Sequence, residues 1–202
     1  MTKINAGFAV ALTALAFISI VSVWGVLRLL DALQWRRHTY EVIIKLDDIT
    51  SSLNEGETGA YGYLMTGNAI YLKTFDTSIE AVHQKVNDIA KLTLDNPNQQ
   101  HRIDILKPMI IEKNALIGEL IGLLKNKRTN ASDQWVLADR EKIVMDNIQK
   151  LINGMKREEY SLLKQRSALL DSSTRTLIVI IIAGNLMAFT SVILSRLFIL
   201  IY

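Results

Sequence analysis

The sequence predicts an all-α protein: an antiparallel four-helix bundle between two transmembrane helices, which continue the first and last helices of the bundle. Three observations lead to this prediction. Two uncharged apolar runs lie near the ends of the 202-residue chain. Apolar residues between the runs recur at spacings of three and four, which is typical of packed helices. Residues that begin or end helices separate these periodic stretches. The length is that expected of one domain with appendages.

The two uncharged runs are residues 5–27 and 177–195. As helices they would be roughly 34 Å and 28 Å long, which matches a hydrocarbon core of about 30 Å. Lys3 and the Ala-Leu-Ala at residues 14–16 also resemble the start and cleavage site of a signal peptide. Cleavage there would leave a stranded apolar tail, and the uncleaved run is longer than a usual signal core. We therefore interpret both runs as membrane anchors whose partner is membrane lipid.

The segment between the runs, residues 28–175, is almost neutral. It contains all 20 acidic residues of the chain and all but Lys3 and Arg196 of the 23 basic ones. Because a neutral domain has no electrostatic reason to bind nucleic acid, nucleic acid is not an expected partner. The flanking charges do not fix the orientation, since the positive-inside rule weakens for long translocated segments. Short tails, residues 1–4 and 196–202, complete the predicted organisation.

Four apolar stripes follow the three-four spacing within this segment and predict its four helices. The first stripe is Val42, Leu46, Ile49, Leu53, Gly56, Ala60 and Tyr63, and the second is Leu72, Phe75, Ile79, Val82, Val86 and Ile89. The third is Ile103, Leu106, Ile110, Ile117, Leu120 and Leu124, and the fourth is Leu137, Val144, Ile148, Leu151, Met155, Leu162 and Leu169.

Turn residues fall between the stripes. Gly67 can end one helix in a left-handed conformation, and Asn68 can cap the next. Asn96 followed by Pro97 pairs a capping residue with proline at the first helical position. Pro108 is the exception, because it lies inside the third stripe and should kink or locally unwind that helix. Short loops between helices favour antiparallel neighbours.

The sequence offers little for catalysis or metal binding. The chain has no cysteine and three histidines, His38, His83 and His101, none at metal-ligand spacing. Its glycines match neither nucleotide-binding fingerprint. We predict no catalytic residue, no metal and no cofactor in these residues.

The segment "GETGAYGYLMTGN", residues 56–68, is the most informative stretch. Three of its glycines are spaced by three and would leave one side of a helix bare at a cost of roughly 2.5–3 kcal/mol. These are Gly56, Gly59 and Gly62. One interpretation is close packing against a neighbouring helix. The other is a small ligand-binding cleft beside Glu57, Tyr61 and Tyr63.

Asn185 lies near the middle of the second apolar run, next to Gly184. An amide inside a membrane usually finds a hydrogen-bond partner on another helix. That helix is either the same span of a second subunit, which makes Asn185 a candidate dimer contact, or the first span.

Three stretches carry a resemblance to a known family. "ETGAYGYLMTGNAIYLKTF" resembles the signature of the third CHASE class, the extracytoplasmic sensory domains of histidine kinases and cyclases. "DNPNQQHRIDILKPMIIEKNALIGELIGLLK", with its internal proline, looks like the third helix of that family, and "MKREEYSLLKQR" looks like the approach to the second span. The matching signature positions are Glu57, Thr58, Gly59, Gly62, Tyr63, Leu64, Thr66, Gly67, Tyr71 and Leu72. Tyr61 replaces the arginine usual in the family, so Glu57 must find another partner or face water.

The resemblance implies a two-pass protein of the inner (plasma) membrane, with the bundle on the periplasmic or extracellular side. It implies a homodimer that receives a small ligand or protein stimulus and relays it to a cytoplasmic output domain. No kinase or cyclase motif follows the second apolar run within these residues. The alternatives are a ligand-binding module of the chemotaxis-receptor type, and a stand-alone membrane scaffold or inhibitory partner of a receptor.

Overall fold

A computed structural model of the chain describes residues 2–125 and 131–201. These residues form four α-helices: α1 is Thr2–Thr66, α2 is Ala69–Leu92, α3 is Pro97–Lys125 and α4 is Ala131–Ile201. The described residues contain no strand. The all-α prediction is therefore confirmed.

The helices divide between two compact units. Residues Thr39–Ser161 form one, which we call the bundle unit, and the remaining described residues form the other, the terminal unit. Both α1 and α4 contribute residues to both units. The predicted division at residues 28 and 175 follows the ends of the uncharged runs rather than packing, and it stays a prediction.

One apolar core joins all four helices of the bundle unit. Its buried residues come mainly from the predicted stripes, and Leu46, Ile49, Ile89, Leu106 and Ile148 are completely buried. Contacts between neighbouring helices pair a rising residue number with a falling one, as antiparallel packing requires. For α1 and α4 the pairs are Asp47 with Lys156 and Tyr61 with Glu141. The buried core residues are Val42, Leu46, Ile49, Leu53, Val82, Val86, Ile89, Ile103, Leu106, Ile110, Leu116, Val144, Met145, Ile148, Ile152 and Met155. A second, smaller cluster contains Ala60, Phe75, Ile117 and Ile121.

The turn between α1 and α2 has the chemistry that the sequence predicts. Gly67 has φ +69°, a left-handed conformation that L side chains rarely adopt. Its amide donates to the carbonyl of Tyr63 at 2.8 Å, which closes the end of α1. The side-chain oxygen of Asn68 then accepts from the amide of Ile70 at 3.0 Å and caps α2.

Asn96 and Pro97 begin α3 as predicted. The Asn96 side-chain oxygen accepts from the amides of Asn98 and Gln99, at 3.1 and 3.3 Å. The helix continues without interruption through Pro108, so the local unwinding expected there does not occur. Pro108 is exposed, where water can satisfy the carbonyl that loses its intrahelical donor. The polar composition of residues 126–133 also predicts a loop before α4, and residues 126–130 of it lie outside the described residues.

The terminal unit brings parts of α1 and α4 side by side in antiparallel order. A Cβ added at Gly25 would lie 2.3 Å from Leu177 Cδ2, and one added at Gly184 would lie 2.6 Å from Ile18 Cδ1. Each glycine thus receives a leucine or isoleucine side chain of the other helix. The described residues include two helical segments long and apolar enough to cross a membrane, and only 6% and 12% of their most apolar windows are buried. Such exposure suits contact with lipid better than the core of a soluble protein.

Candidate functional site

A buried ion pair lies inside the bundle unit. Lys113 of α3 and Glu141 of α4 are 1% and 0% exposed, and the Lys113 Nζ is 2.9 Å from Glu141 Oε1. Moving either charge out of water costs several kcal/mol, so neither is tolerated without the other. The pair therefore fixes α3 and α4 against each other at this level of the bundle.

Both charged residues occupy positions where the apolar spacing leads one to expect a core residue. Lys113 falls between Ile110 and Ile117 of the third stripe, and Glu141 falls between Leu137 and Val144 of the fourth. The stripes simply skip these positions. On each of the two stripes, one position that should be apolar holds a charged residue, and the two charges are opposite. This is the sequence signal that indicates the pair.

Two residues of α1 that the sequence predicts as site residues, Tyr61 and Glu57, lie beside this ion pair. The Tyr61 hydroxyl donates to Glu141 Oε2 at 3.2 Å. Glu57 is more distant, with its Oε2 3.9 Å from Lys113 Nζ. Tyr61, where the resemblance leads one to expect an arginine, thus contacts a bundle carboxylate, and Lys113 supplies the nearby positive charge. Glu57 therefore has Lys113 as its charged partner, and its side chain is also partly accessible to water.

The surroundings alter the acidity of both α1 residues. Burial raises the pKa of Glu57, an effect that Lys113 opposes and that Glu141 and Asp146 reinforce. Burial, together with the charge and hydrogen bond of Glu141, raises the pKa of Tyr61 to about 12. Tyr61 therefore remains a hydrogen-bond donor at physiological pH. The direction at Glu57 means that burial favours its protonated form over the carboxylate.

An open groove of about 800 Å³ lies beside this cluster in the bundle unit. Glu57 and Tyr61 line it, but Tyr63 does not. Tyr63 instead packs on the smaller apolar cluster, and the Lys125 Nζ lies 5.7 Å from its ring centroid. The groove is lined by Asn54, Glu57, Thr58, Tyr61, Gly62, Met65, Thr66, Tyr71, Lys142, Met145, Asp146 and Gln149. The ligand roles of Glu57, Tyr61 and Tyr63 stay predictions.

Gly56, Gly59 and Gly62 face α2. A Cβ at Gly59 would lie 2.9 Å from the backbone nitrogen of Phe75 and 2.9 Å from the carbonyl oxygen of Tyr71. At Gly56 it would lie 3.2 Å from Ser78 Cβ, and at Gly62 2.6 Å from the Tyr71 ring. Gly59 leaves room for the backbone of α2 itself, whereas its two neighbours leave room for side chains.

A second polar cluster lies farther along the same helix pair. The buried Gln99 donates from Nε2 to the carbonyl of Met155 at 3.2 Å and to Glu159 Oε1 at 2.9 Å. Arg102 pairs with Glu158 beside it. Gln99 and Glu159 continue the spacing of the third and fourth stripes, so they too are polar residues at positions expected to be apolar.

Asn185 is exposed in the terminal unit. Its side-chain nitrogen donates to the carbonyl of Ile181 in its own helix at 2.7 Å. Within the described part of the chain, its side-chain oxygen accepts no hydrogen bond from the first apolar run. A contact with a second subunit stays a prediction.

Comparison with known proteins identifies a family and a similar fold. The CHASE3 domain matches residues 32–169. The crystal structure of the Rhodopseudomonas palustris histidine kinase HK9 sensor domain has a TM-score of 0.56 and 21% sequence identity to this chain. The alignment covers 62% of this chain and 98% of that one. None of the curated proteins matches the chain.

Proposed function

This chain belongs to the CHASE3 domain family, and we propose that it is the membrane-anchored signal-input module of a bacterial receptor with a histidine kinase or cyclase output. The bundle lies on the periplasmic or extracellular side and receives a small ligand or protein stimulus. Two membrane spans carry the response to the cytoplasm. The observation that carries this proposal is the link between the groove and α4 through Tyr61 and Glu141.

Tyr61 has one side toward the groove and its hydroxyl on Glu141. A ligand that competes for this hydroxyl, or that neutralises Glu57, changes the electrostatic environment of the Lys113–Glu141 pair. Because that pair is buried, its geometry is sensitive to the loss of a single hydrogen bond. The predicted response is a small shift of α4 against α1 and α3. Helix shifts of about 1–2 Å are a common form of switching between packed states.

Such a switch requires that the stimulus bind one of the two packings more tightly than the other. The groove suits a small polar ligand with a cationic group, since Glu57 and Asp146 face it together with one lysine, Lys142. Met65 and Met145 add adaptable apolar surface for the remainder of the ligand.

A chimera tests this function. The chain is fused at its C-terminus to the cytoplasmic kinase of a two-span receptor histidine kinase, and autophosphorylation is measured in membranes. Tyr61→Phe removes the hydrogen bond to Glu141 with little change of shape. We expect the basal activity to change by about two- to tenfold, the shift that the energy of one hydrogen bond allows in a two-state equilibrium.

Tyr160→Phe is the matched control, because Tyr160 is 54% exposed on α4 and does not line the groove. Its chimera should retain the parental activity. Equal activities of the parent, Tyr61→Phe and Tyr160→Phe chimeras would contradict the proposed link.

We further propose that the module is a homodimer. On α4 of the bundle unit, Val136 and Ile143 are 65% and 54% exposed although both are large and apolar. They are seven residues apart, the repeat of a helix–helix seam. In the terminal unit, the side-chain oxygen of Asn185 is available for a hydrogen bond from a second subunit, which would satisfy a polar group within the membrane.

Disulfide trapping tests the dimer. The chain contains no cysteine, so single cysteines can be introduced without further changes. Under mild oxidation in native membranes, Ile143→Cys is expected to yield a substantial disulfide-linked dimer. Ile148→Cys is the control, because Ile148 is completely buried within the subunit. A failure of both Val136→Cys and Ile143→Cys to form dimers would overturn this interface.

A further inference from the structure

A second groove, of about 770 Å³, lies within the terminal unit between α1 and α4. It extends along α1 from Val21 to Trp35, a rise of roughly 21 Å for a helix. On α4 it extends from Ile180 to Arg166. The groove therefore begins inside the two uncharged runs and ends among charged residues.

Its lining changes from apolar to polar along this length. The end inside the uncharged runs is formed by Val21, Gly25, Leu177 and Ile180. The middle contributes the hydroxyls of Ser172, Ser173, Thr174 and Thr176. Trp24 lies beside Gly25, within the first uncharged run. The outer part contains two arginines, one aspartate and one tryptophan, namely Arg28, Arg166, Asp31 and Trp35. A groove that is apolar at one end and cationic at the other matches the two parts of an anionic lipid.

The guanidinium of Arg28 lies in the polar part of the groove and is available to bind an anion. Its guanidinium carbon lies 3.8 Å from the centroid of the Trp24 ring, so the indole covers one face of the group. In the described part of the chain, no carboxylate lies within ion-pair distance of it. The N–H donors at the guanidinium edge are thus left for another acceptor, and their fork suits the oxygens of a phosphate.

Arg166 has a different role. It lies over the ring of Trp35 at 4.7 Å, and its Nη1 donates to the backbone carbonyl of Trp35 at 3.4 Å. These contacts join α4 to α1 at the outer end of the groove. The groove lining contains three charged groups, namely Arg28, Arg166 and Asp31, and their net charge is one positive charge. One phosphodiester carries one negative charge, so the charges balance.

We propose that this groove binds one anionic glycerophospholipid, with its phosphate at Arg28 and an acyl chain between Val21, Leu177 and Ile180. Tryptophan rings commonly lie at the level of the lipid headgroups, where Trp24, in contact with Arg28, would then be found. Basic pockets between transmembrane helices bind anionic headgroups by the same charge complementarity. A free phosphate would use Arg28 but would leave the apolar half of the groove unfilled.

The experiment compares lipid retention by the full chain in nanodiscs. The nanodiscs contain phosphatidylcholine with either phosphatidylglycerol or phosphatidylethanolamine, and the lipid released with the protein is counted by native mass spectrometry. We expect one tightly retained phosphatidylglycerol. Arg28→Gln should weaken this retention roughly fivefold, the effect expected from one basic side chain at an anionic membrane surface.

Arg37→Gln is the matched control, because Arg37 is exposed on the same helix and is absent from the groove lining. It should retain the lipid as the parent does, and Arg28→Lys should retain most of it. Equal losses from Arg28→Gln and Arg37→Gln would overturn the site, as would equal retention of the two lipids. Release of the lipid by excess inorganic phosphate would assign the site to phosphate alone and would also overturn the proposal.

Discussion

Lys113→Met is expected to lower the free energy of unfolding by about 3–5 kcal/mol. Lys113 is 1% exposed, and its ammonium is the cation that compensates Glu141, which is itself completely buried. Methionine has a similar length and suits an apolar core, so the cost arises from the charge left on Glu141 rather than from a cavity. The measurement is chemical denaturation of the full chain in mild detergent, followed by circular dichroism.

Two further variants separate the charge effect from a packing effect. Lys107→Met changes an exposed lysine on the same helix and should alter the free energy by less than about 0.5 kcal/mol. The double variant Lys113→Met, Glu141→Leu removes both charges, so most of the lost stability should return. A single variant that costs less than about 1 kcal/mol would show that the pair is not desolvated as the geometry requires. If the double variant were no more stable than the single one, packing would be the cause.

The apolar core is the part of the fold that local spacing predicts well. Val42, Leu46, Ile49 and Leu53 recur at three and four, and all are buried. Leu169 ends the fourth stripe by the same rule, yet it is 69% exposed. Spacing defines one face of a helix but not whether another helix covers that face. Residue 169 belongs to the terminal unit, whereas the four-helix core belongs to the bundle unit.

Lys113, Glu141 and Tyr61 form a polar layer within the bundle unit. The sequence indicates its two charged residues but not their contact with Tyr61. The skipped stripe positions indicate that Lys113 and Glu141 face the core, and opposite charges there suggest a pair. That Tyr61 completes the layer depends on a contact between residues 80 positions apart. A pattern of neighbouring residues cannot predict this contact, because the contact results from the packing of α1 on α4.

Helical geometry also separates the three residues proposed for the ligand cleft. Glu57 and Tyr61 are four positions apart, so they lie on nearly the same face of α1. Tyr63 is six positions from Glu57, which turns it roughly 120° away. The sequence stretch places the three side chains together, but the helix directs Tyr63 to the smaller apolar cluster. Glu57 and Tyr61 are therefore the better candidates for ligand contact.

Gly59→Leu is expected to destabilise the bundle by about 3 kcal/mol, the upper part of the range for overpacked cores. The two nearest atoms that a Cβ would meet are backbone atoms of α2, both at 2.9 Å. A side chain can rotate away, but a helix backbone can move only by displacing its neighbours. The whole of α2 must therefore shift outward, which opens the contact between α1 and α2. The measurement is the denaturation experiment used for Lys113→Met.

Alanine variants show whether this cost comes from close approach. Gly118 also lies within a helix, but a Cβ there would have nothing within 4 Å. Gly118→Ala should therefore gain up to about 1 kcal/mol, because alanine is the better helix former. Gly59→Ala has the same gain in propensity, yet it should be destabilising, since its Cβ meets the α2 backbone. Opposite signs at two helical glycines cannot arise from propensity. If both alanine variants were more stable than the parent, the close-packing account of Gly59 would be wrong, and the glycines would need an explanation in ligand binding.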